Sequence, residues 1–184
     1  LEALAVKLEG HPDNAAACVH GGLTASLVEN GRSRASRLNI HPAFCGVVGV
    51  PEFPLATKAA RSVLPKRVPL ADAVFNISRA ILLARALETG RARGLDVLMA
   101  DRLHQPYRAR LVPGLQDALA AAVAAGAAGA ALSGSGPSVF ALVEGDGRLV
   151  GSAIRRAFAK KGVKSQVLEL KVDRQGVRVR PWMQ

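Results

Sequence analysis

Two short apolar runs, Ala128 to Leu132 and Ser138 to Val143, flank the glycine loop Ser133-Gly134-Ser135-Gly136-Pro137-Ser138, and this strand, loop, strand pattern most constrains the fold. A Walker loop needs GxxxxGK[ST] and opens a helix, whereas here no lysine follows and the chain returns as a strand. The helices elsewhere alternate with strands without a doubly wound rhythm, so the expected class is α+β.

Apolar spacing predicts the other elements. Residues 1 to 8 read as the end of an amphipathic helix, followed by the polar hexad Glu9-Gly10-His11-Pro12-Asp13-Asn14 and a helix over Ala15 to Val19 that Gly21-Gly22 stops. Leu23 to Val28, Arg37 to Ile40 and Gly46 to Val50 read as strands, with Glu29-Asn30-Gly31 as a turn. Helices are predicted from Thr57 to before Pro65, from Pro69 to Leu87, from Leu95 to Leu103, from Leu115 to Ala125 and from Arg148 to Lys160. Gln105-Pro106-Tyr107-Arg108 reads as an interruption, and Lys164 to Val172 and Gly176 to Val179 as terminal strands.

With 184 residues, 49% of them hydrophobic and only 4% aromatic, the chain can bury a core made of Ala, Leu and Val rather than rings. The most apolar stretch, Ala118 to Leu132, is too short to span a membrane, and no secretory leader is evident, so a soluble cytoplasmic protein is expected. Leu1 falls inside a helical pattern, which reads as a piece of a longer protein. Cys18 and Cys45 lack the spacing of a metal or redox pair and are expected to be small buried hydrophobes.

The net charge of +11 is local: residues 148 to 184 hold ten bases against two acids. No interleaved aromatic platform accompanies them, so a solvated basic face is expected and a basic nucleic-acid-binding module is kept as the alternative.

Three groups of residues have the makings of a site. The hexad places Glu9, His11, Asp13 and Asn14 at a helix start, where Asp13 is open to two readings, a helix cap or a functional carboxylate. The glycine loop offers bare amides and hydroxyls to an anion, or simply makes a tight hairpin. Thr57 and Arg61 share a helix face, and Arg61 and Arg108 supply guanidinium groups suited to a small anionic substrate; a surface ion pair is the other fate open to each arginine.

Taken in order, EGHPDN with Gly21-Gly22-Leu23, Thr57 to Arg61, His104-Gln105-Pro106-Tyr107-Arg108 with Leu111-Val112-Pro113, and Ala131-Leu132-Ser133-Gly134-Ser135-Gly136-Pro137-Ser138 resemble the homoserine kinases of the GHMP small-molecule kinase superfamily over nearly the whole chain. The glycine loop alone indicates the superfamily; the EGHPDN and HQPYR elements favour homoserine kinases over its other members. The resemblance implies that residues 1–50 are the remnant of an N-terminal domain like ribosomal protein S5 and residues 51–184 a ferredoxin-like C-terminal domain. It implies ATP-dependent phosphorylation of the L-homoserine hydroxyl in threonine biosynthesis, with Mg2+. Carried over, His11, Asp13 and Asn14 lie on homoserine, Asp13 near the attacking hydroxyl as base or as orienting group. Thr57 and Arg61 stand beside the transferred phosphate, Arg108 pairs with the substrate carboxylate, and Ser133, Gly134, Ser135 and Gly136 close over the reacting groups. Glu2 is the metal candidate. The family's glycine- and serine-rich ATP loop lies upstream of EGHPDN and is absent from these residues, so the chain alone is expected to be inactive; the missing N-terminal segment and a homodimer are the implied partners. Another GHMP small-molecule kinase, or a ligand-binding domain on a degenerate kinase fold, are the remaining alternatives.

Overall fold

The computed structural model describes residues 1–179, which fall into two compact units, residues 1–41 with the segment from Val172, and residues 42–171. A division at residue 50 would run through the end of a central strand of the second unit, β3 (Phe44–Pro51).

In the first unit, helix α1 (Glu2–Glu9) and helix α2 (Pro12–His20) precede an antiparallel hairpin of β1 (Leu23–Glu29) and β2 (Arg32–Leu38). Asn30 and Gly31 both take positive φ, 51° and 73°, as a two-residue hairpin turn matched to strand twist requires. That turn forces pairing to begin at Arg32, so β2 covers Arg32–Leu38 rather than the predicted Arg37 to Ile40; its run of arginines and serines hides the alternation. The end of α2 meets the returning chain backbone to backbone: Gly22 N–H donates to Asp173 O at 2.6 Å and Val177 N–H to Val19 O at 3.1 Å. A Cβ at Gly21 would lie 2.6 Å from Gly176 N, so only glycine permits this approach. These contacts do not make a ladder, and Gly176 to Val179 is not the predicted strand.

The second unit holds a four-stranded antiparallel sheet in the order β4-β5-β3-β6, with β4 (Gly129–Leu132), β5 (Val139–Glu144) and β6 (Ser165–Lys171). Read from β6, the order is fourth, first, third and second strand of the unit, which is the ferredoxin-like βαββαβ arrangement. Helix α7 (Leu115–Ala124) and helix α8 (Arg148–Ala159) enclose the core with the sheet: Val47, Leu115, Ala118, Ala122, Val139, Ala141, Ile154 and Phe158 are all at most 1% exposed. The core is aliphatic and small as predicted, yet two of the five phenylalanines, Phe44 and Phe158, are its largest fully buried side chains. Gly151 lets α8 approach the sheet closely, since a Cβ there would lie 2.5 Å from Val167.

Helix α3 (Thr57–Ser62) and helix α4 (Leu70–Thr89) connect β3 to the middle of the chain. The predicted Leu95 to Leu103 helix is a single turn, α5 (Leu95–Leu98), and the predicted interruption is helical, α6 (Gln105–Arg108), running on into a 3-10 turn at Ala109–Leu111. Pro106 explains the second, because proline fits a helix's first turn. Only Ala86 and Leu87 of α4 are buried, and its apolar stripe at Leu70, Val74, Ile77 and Ile81 is exposed. Cys18 is exposed and Cys45 half-buried, both free, so Cys18 is not the buried hydrophobe expected: α2 turns that face outward. No helix among the described residues is long and apolar enough to cross a membrane.

Candidate functional site

Helix α2 begins at Pro12, earlier than the small-residue run predicts, so the hexad is half loop and half helix. His11 is its N-cap residue in extended conformation (φ −145°, ψ 144°), and Asp13 and Asn14 lie in the first turn, exposed. No side chain caps this helix. Of the two readings of Asp13, the cap is therefore not what the structure shows; it lies in the first turn, where negative charge is favoured, and makes no hydrogen bond among the described residues.

Glu2 is committed within the first unit. His20 Nε2 lies 2.7 Å from its Oε2, and Ser33 Oγ donates to its Oε1; these two, Ser33 first, hold its carboxyl below the usual carboxylate range. Among the described residues no group of three His, Cys, Asp or Glu side chains could hold a metal ion.

The second unit concentrates its chemistry on α3, α6 and the glycine loop. Arg108 is only 9% exposed and ties the three together. Its Nε donates to Ala60 O of α3 at 3.0 Å, and its Nη1 donates to Gly134 O of the loop at 2.9 Å and approaches His104 Nδ1 at 3.2 Å. Nη2 makes no hydrogen bond among the described residues. Burial holds the Arg108 guanidinium below its usual range, the charge of Arg61 adds to this, and Asp101 partly offsets it. Arg61, on the exposed face of α3, is near enough for its charge to act on Arg108, and two cations that repel one another favour a nearby anion. Thr57 stands one turn before Arg61 at the exposed start of α3.

The glycine loop closes the β4–β5 hairpin, with Ser133 N–H donating to Ser138 O at 2.8 Å and Gly136 N–H to Ser133 O at 2.9 Å. Gly134 and Gly136 take φ of 54° and 84°, and the Gly136–Pro137 peptide is cis. The amides of Gly134 and Ser135 stay outside the loop's own hydrogen bonds.

Three supporting residues escaped the sequence reading as site-builders. Gln105, 8% exposed, accepts from Leu132 N–H at 2.7 Å through Oε1, fixing the strand end that launches the loop. Asp101 accepts from the backbone amides of Leu103, His104 and Gln105 and from Asn76 Nδ2 of α4. Burial pushes the Asp101 carboxyl up, but the His104 and Gln105 amides and Asn76 together outweigh it and hold the carboxyl below its usual range. Burial likewise lowers the His104 imidazole, against the pull of Asp101 and with the push of Arg108. An aspartate four residues before a Gln-Pro pair was the available signal.

The structure therefore brings Thr57, Arg61, Arg108 and the Ser133 to Gly136 loop together in one unit and groups His11, Asp13, Asn14 and Glu2 in the other. Residues 83–160 match the family described as GHMP kinases C terminal. The chain carries a GHMP kinase C-terminal domain. It is 48% identical over 167 residues to a homoserine kinase of Moorella thermoacetica, covering 91% of this chain and 56% of that protein. A homoserine kinase of Gloeobacter violaceus is 49% identical over 156 residues, covering 85% of this chain and 51% of that one. The crystal structure of homoserine kinase from Cytophaga hutchinsonii superposes with a TM-score of 0.85 at 31% identity, over 90% of this chain and 53% of that chain. The chain spans about half the length of the curated relatives it matches. α7, α8 and the β4–β5 hairpin with its loop all lie within the matched GHMP domain.

Proposed function

We propose that this chain forms the acceptor and phosphate-handling part of an enzyme that transfers the γ-phosphoryl group of ATP to the side-chain hydroxyl of L-homoserine, giving O-phosphohomoserine for threonine biosynthesis in the cytoplasm. The observation that carries this reading is Arg108 bonded to the glycine loop, with one guanidinium edge and two loop amides free among the described residues and the charge of Arg61 acting on it. The identity to homoserine kinases over most of the chain supports the choice of acceptor.

Phosphoryl transfer asks a protein for in-line positioning and charge stabilisation more than for covalent chemistry. Asp13 holds the acceptor hydroxyl by accepting its hydrogen bond, and His11 and Asn14 flank it. Arg108 meets the substrate carboxylate through Nη2, the edge its protein partners leave open. Arg61 offsets charge on the transferring group, with Thr57 beside it and the amides of the Ser133 to Gly136 loop facing the same oxygens. The Mg2+ that accompanies ATP in this reading would shield the phosphate oxygens, with Glu2 as this chain's candidate carboxylate toward it. In the same reading the first unit is the end of an S5-like domain, a glycine-rich segment upstream holds the nucleotide, the chain alone is inactive, and the complete enzyme is a homodimer.

A coupled ADP-release assay with homoserine and Mg-ATP tests this on the 184-residue chain and on the polypeptide extended by its upstream segment. Homoserine-dependent turnover by the extended protein, with little by the short chain, is the expected result. An extended protein that is folded and inert toward homoserine overturns the reading.

A further inference from the structure

The placement of Arg108 depends on a helix too short to hold itself. α6 has four residues, closed by only two backbone hydrogen bonds of its own, Arg108 N–H to His104 O at 3.0 Å and Ala109 N–H to Gln105 O. A single turn fixes several dihedral angles for one hydrogen bond and is unstable unless other groups complete it. Here the amides at its start are completed by one carboxylate. Asp101 Oδ2 accepts from His104 N–H at 2.7 Å and Gln105 N–H at 2.6 Å, and Oδ1 accepts from Leu103 N–H at 3.2 Å. Asn76 of α4 sets the orientation: its Nδ2 donates to Asp101 Oδ1 at 2.6 Å while its Oδ1 accepts from Arg102 N–H at 3.0 Å. The Asp101 side chain is 7% exposed, so these hydrogen bonds are shielded from competing water.

We propose that Asp101, oriented by Asn76, is a positioning residue for recognition of the acceptor's carboxylate: it fixes the first turn of α6 and thereby aims Arg108 Nη2, at the far end of that turn, at the substrate. The inference rests on the phosphotransfer reading above and assigns where its carboxylate recognition is set. Asp101 touches neither substrate nor phosphate. Its reach is mechanical, because Gln105 and Arg108 leave the same short helix to grip Leu132 and Gly134 on either side of the loop's first residue. An amide in place of the carboxylate offers one acceptor oxygen and turns an NH2 toward backbone N–H groups, so α6 loosens while Arg108 itself remains.

The test is steady-state kinetics of the extended enzyme with Asp101→Asn and Asp101→Glu, varying homoserine and ATP separately. The expected result is a KM for homoserine raised about 10- to 100-fold, the cost of misplacing a positioning group by about an ångström, with the KM for ATP unchanged and kcat within about threefold. Asp101→Glu recovers part of the loss. A role in folding alone would reduce the active fraction, lowering kcat at unchanged KM; that outcome, an equal rise in both KM values, or no change overturns the proposal. Should Asp101→Asn fail to fold, Asn76→Ala, which keeps the carboxylate and removes only its orientation, is read by the same criteria. A wild-type enzyme inert toward homoserine would overturn the phosphotransfer reading, and this inference with it, before any variant is made.

Discussion

Arg108 and Gly134 meet through a 2.9 Å hydrogen bond from Nη1 to the glycine carbonyl, so a buried guanidinium holds the backbone of a loop whose serine side chains make no hydrogen bond among the described residues. The same guanidinium reaches Ala60 of α3, which carries Arg61. In the proposed reading, recognition and scaffolding are therefore one residue's work.

Replacing Arg108 separates those roles. Arg108→Lys keeps the charge but cannot reach Ala60 O and Gly134 O together, and is expected to destabilise the second unit by about 1–3 kcal/mol through unsatisfied buried carbonyls. Denaturant unfolding of wild type and variant measures it, and the KM for homoserine in the extended enzyme should rise alongside.

Asp13 should behave in the opposite way. Exposed and without a cap hydrogen bond, its replacement by Asn is expected to change stability by no more than about 0.5 kcal/mol. In the extended enzyme the same variant should lower kcat by about 10²- to 10⁴-fold, read by the coupled assay. A large stability loss with normal turnover would return Asp13 to a structural role.

Gln105→Leu leaves Leu132 N–H buried without its acceptor. A loss of about 1–3 kcal/mol is expected by thermal or denaturant unfolding, with faster amide exchange at Leu132 as the local signature.

The pH dependence of stability should carry the mark of Asp101. Its carboxyl is held below the usual range in the folded state, so the stability it contributes is fully present above the unfolded value and is lost as pH falls through the folded one. The stability difference between wild type and Asp101→Asn should thus shrink as pH falls below about 4. A difference that persists at the acid end would show that the carboxylate's charge is not what holds α6.

Local chemistry made much of this protein legible in its sequence. The period of apolar residues located α7, α8 and the β4–β5 hairpin, because burial on one face imposes that spacing, and also α4, whose stripe is exposed; Asn30-Gly31 marked its turn because few residues accept positive φ. The residue types of the site, Asp13, Arg61, Arg108 and the glycine loop, were legible for the same reason: they are chemically unusual where they stand. Other features depended on partners distant along the chain. The Arg32–Leu38 strand is defined by its register against β1, and α6 by a carboxylate outside it whose orientation comes from α4, 25 residues earlier. Whether Arg108 faces solvent or is buried against Ala60 and Gly134 is not a property of its neighbours in sequence, since those contacts span 48 and 26 residues. Sequence alone determined which groups are available for chemistry; the tertiary structure decided which of them remain free to perform it, because hydrogen-bond partners are assigned only when the chain has folded.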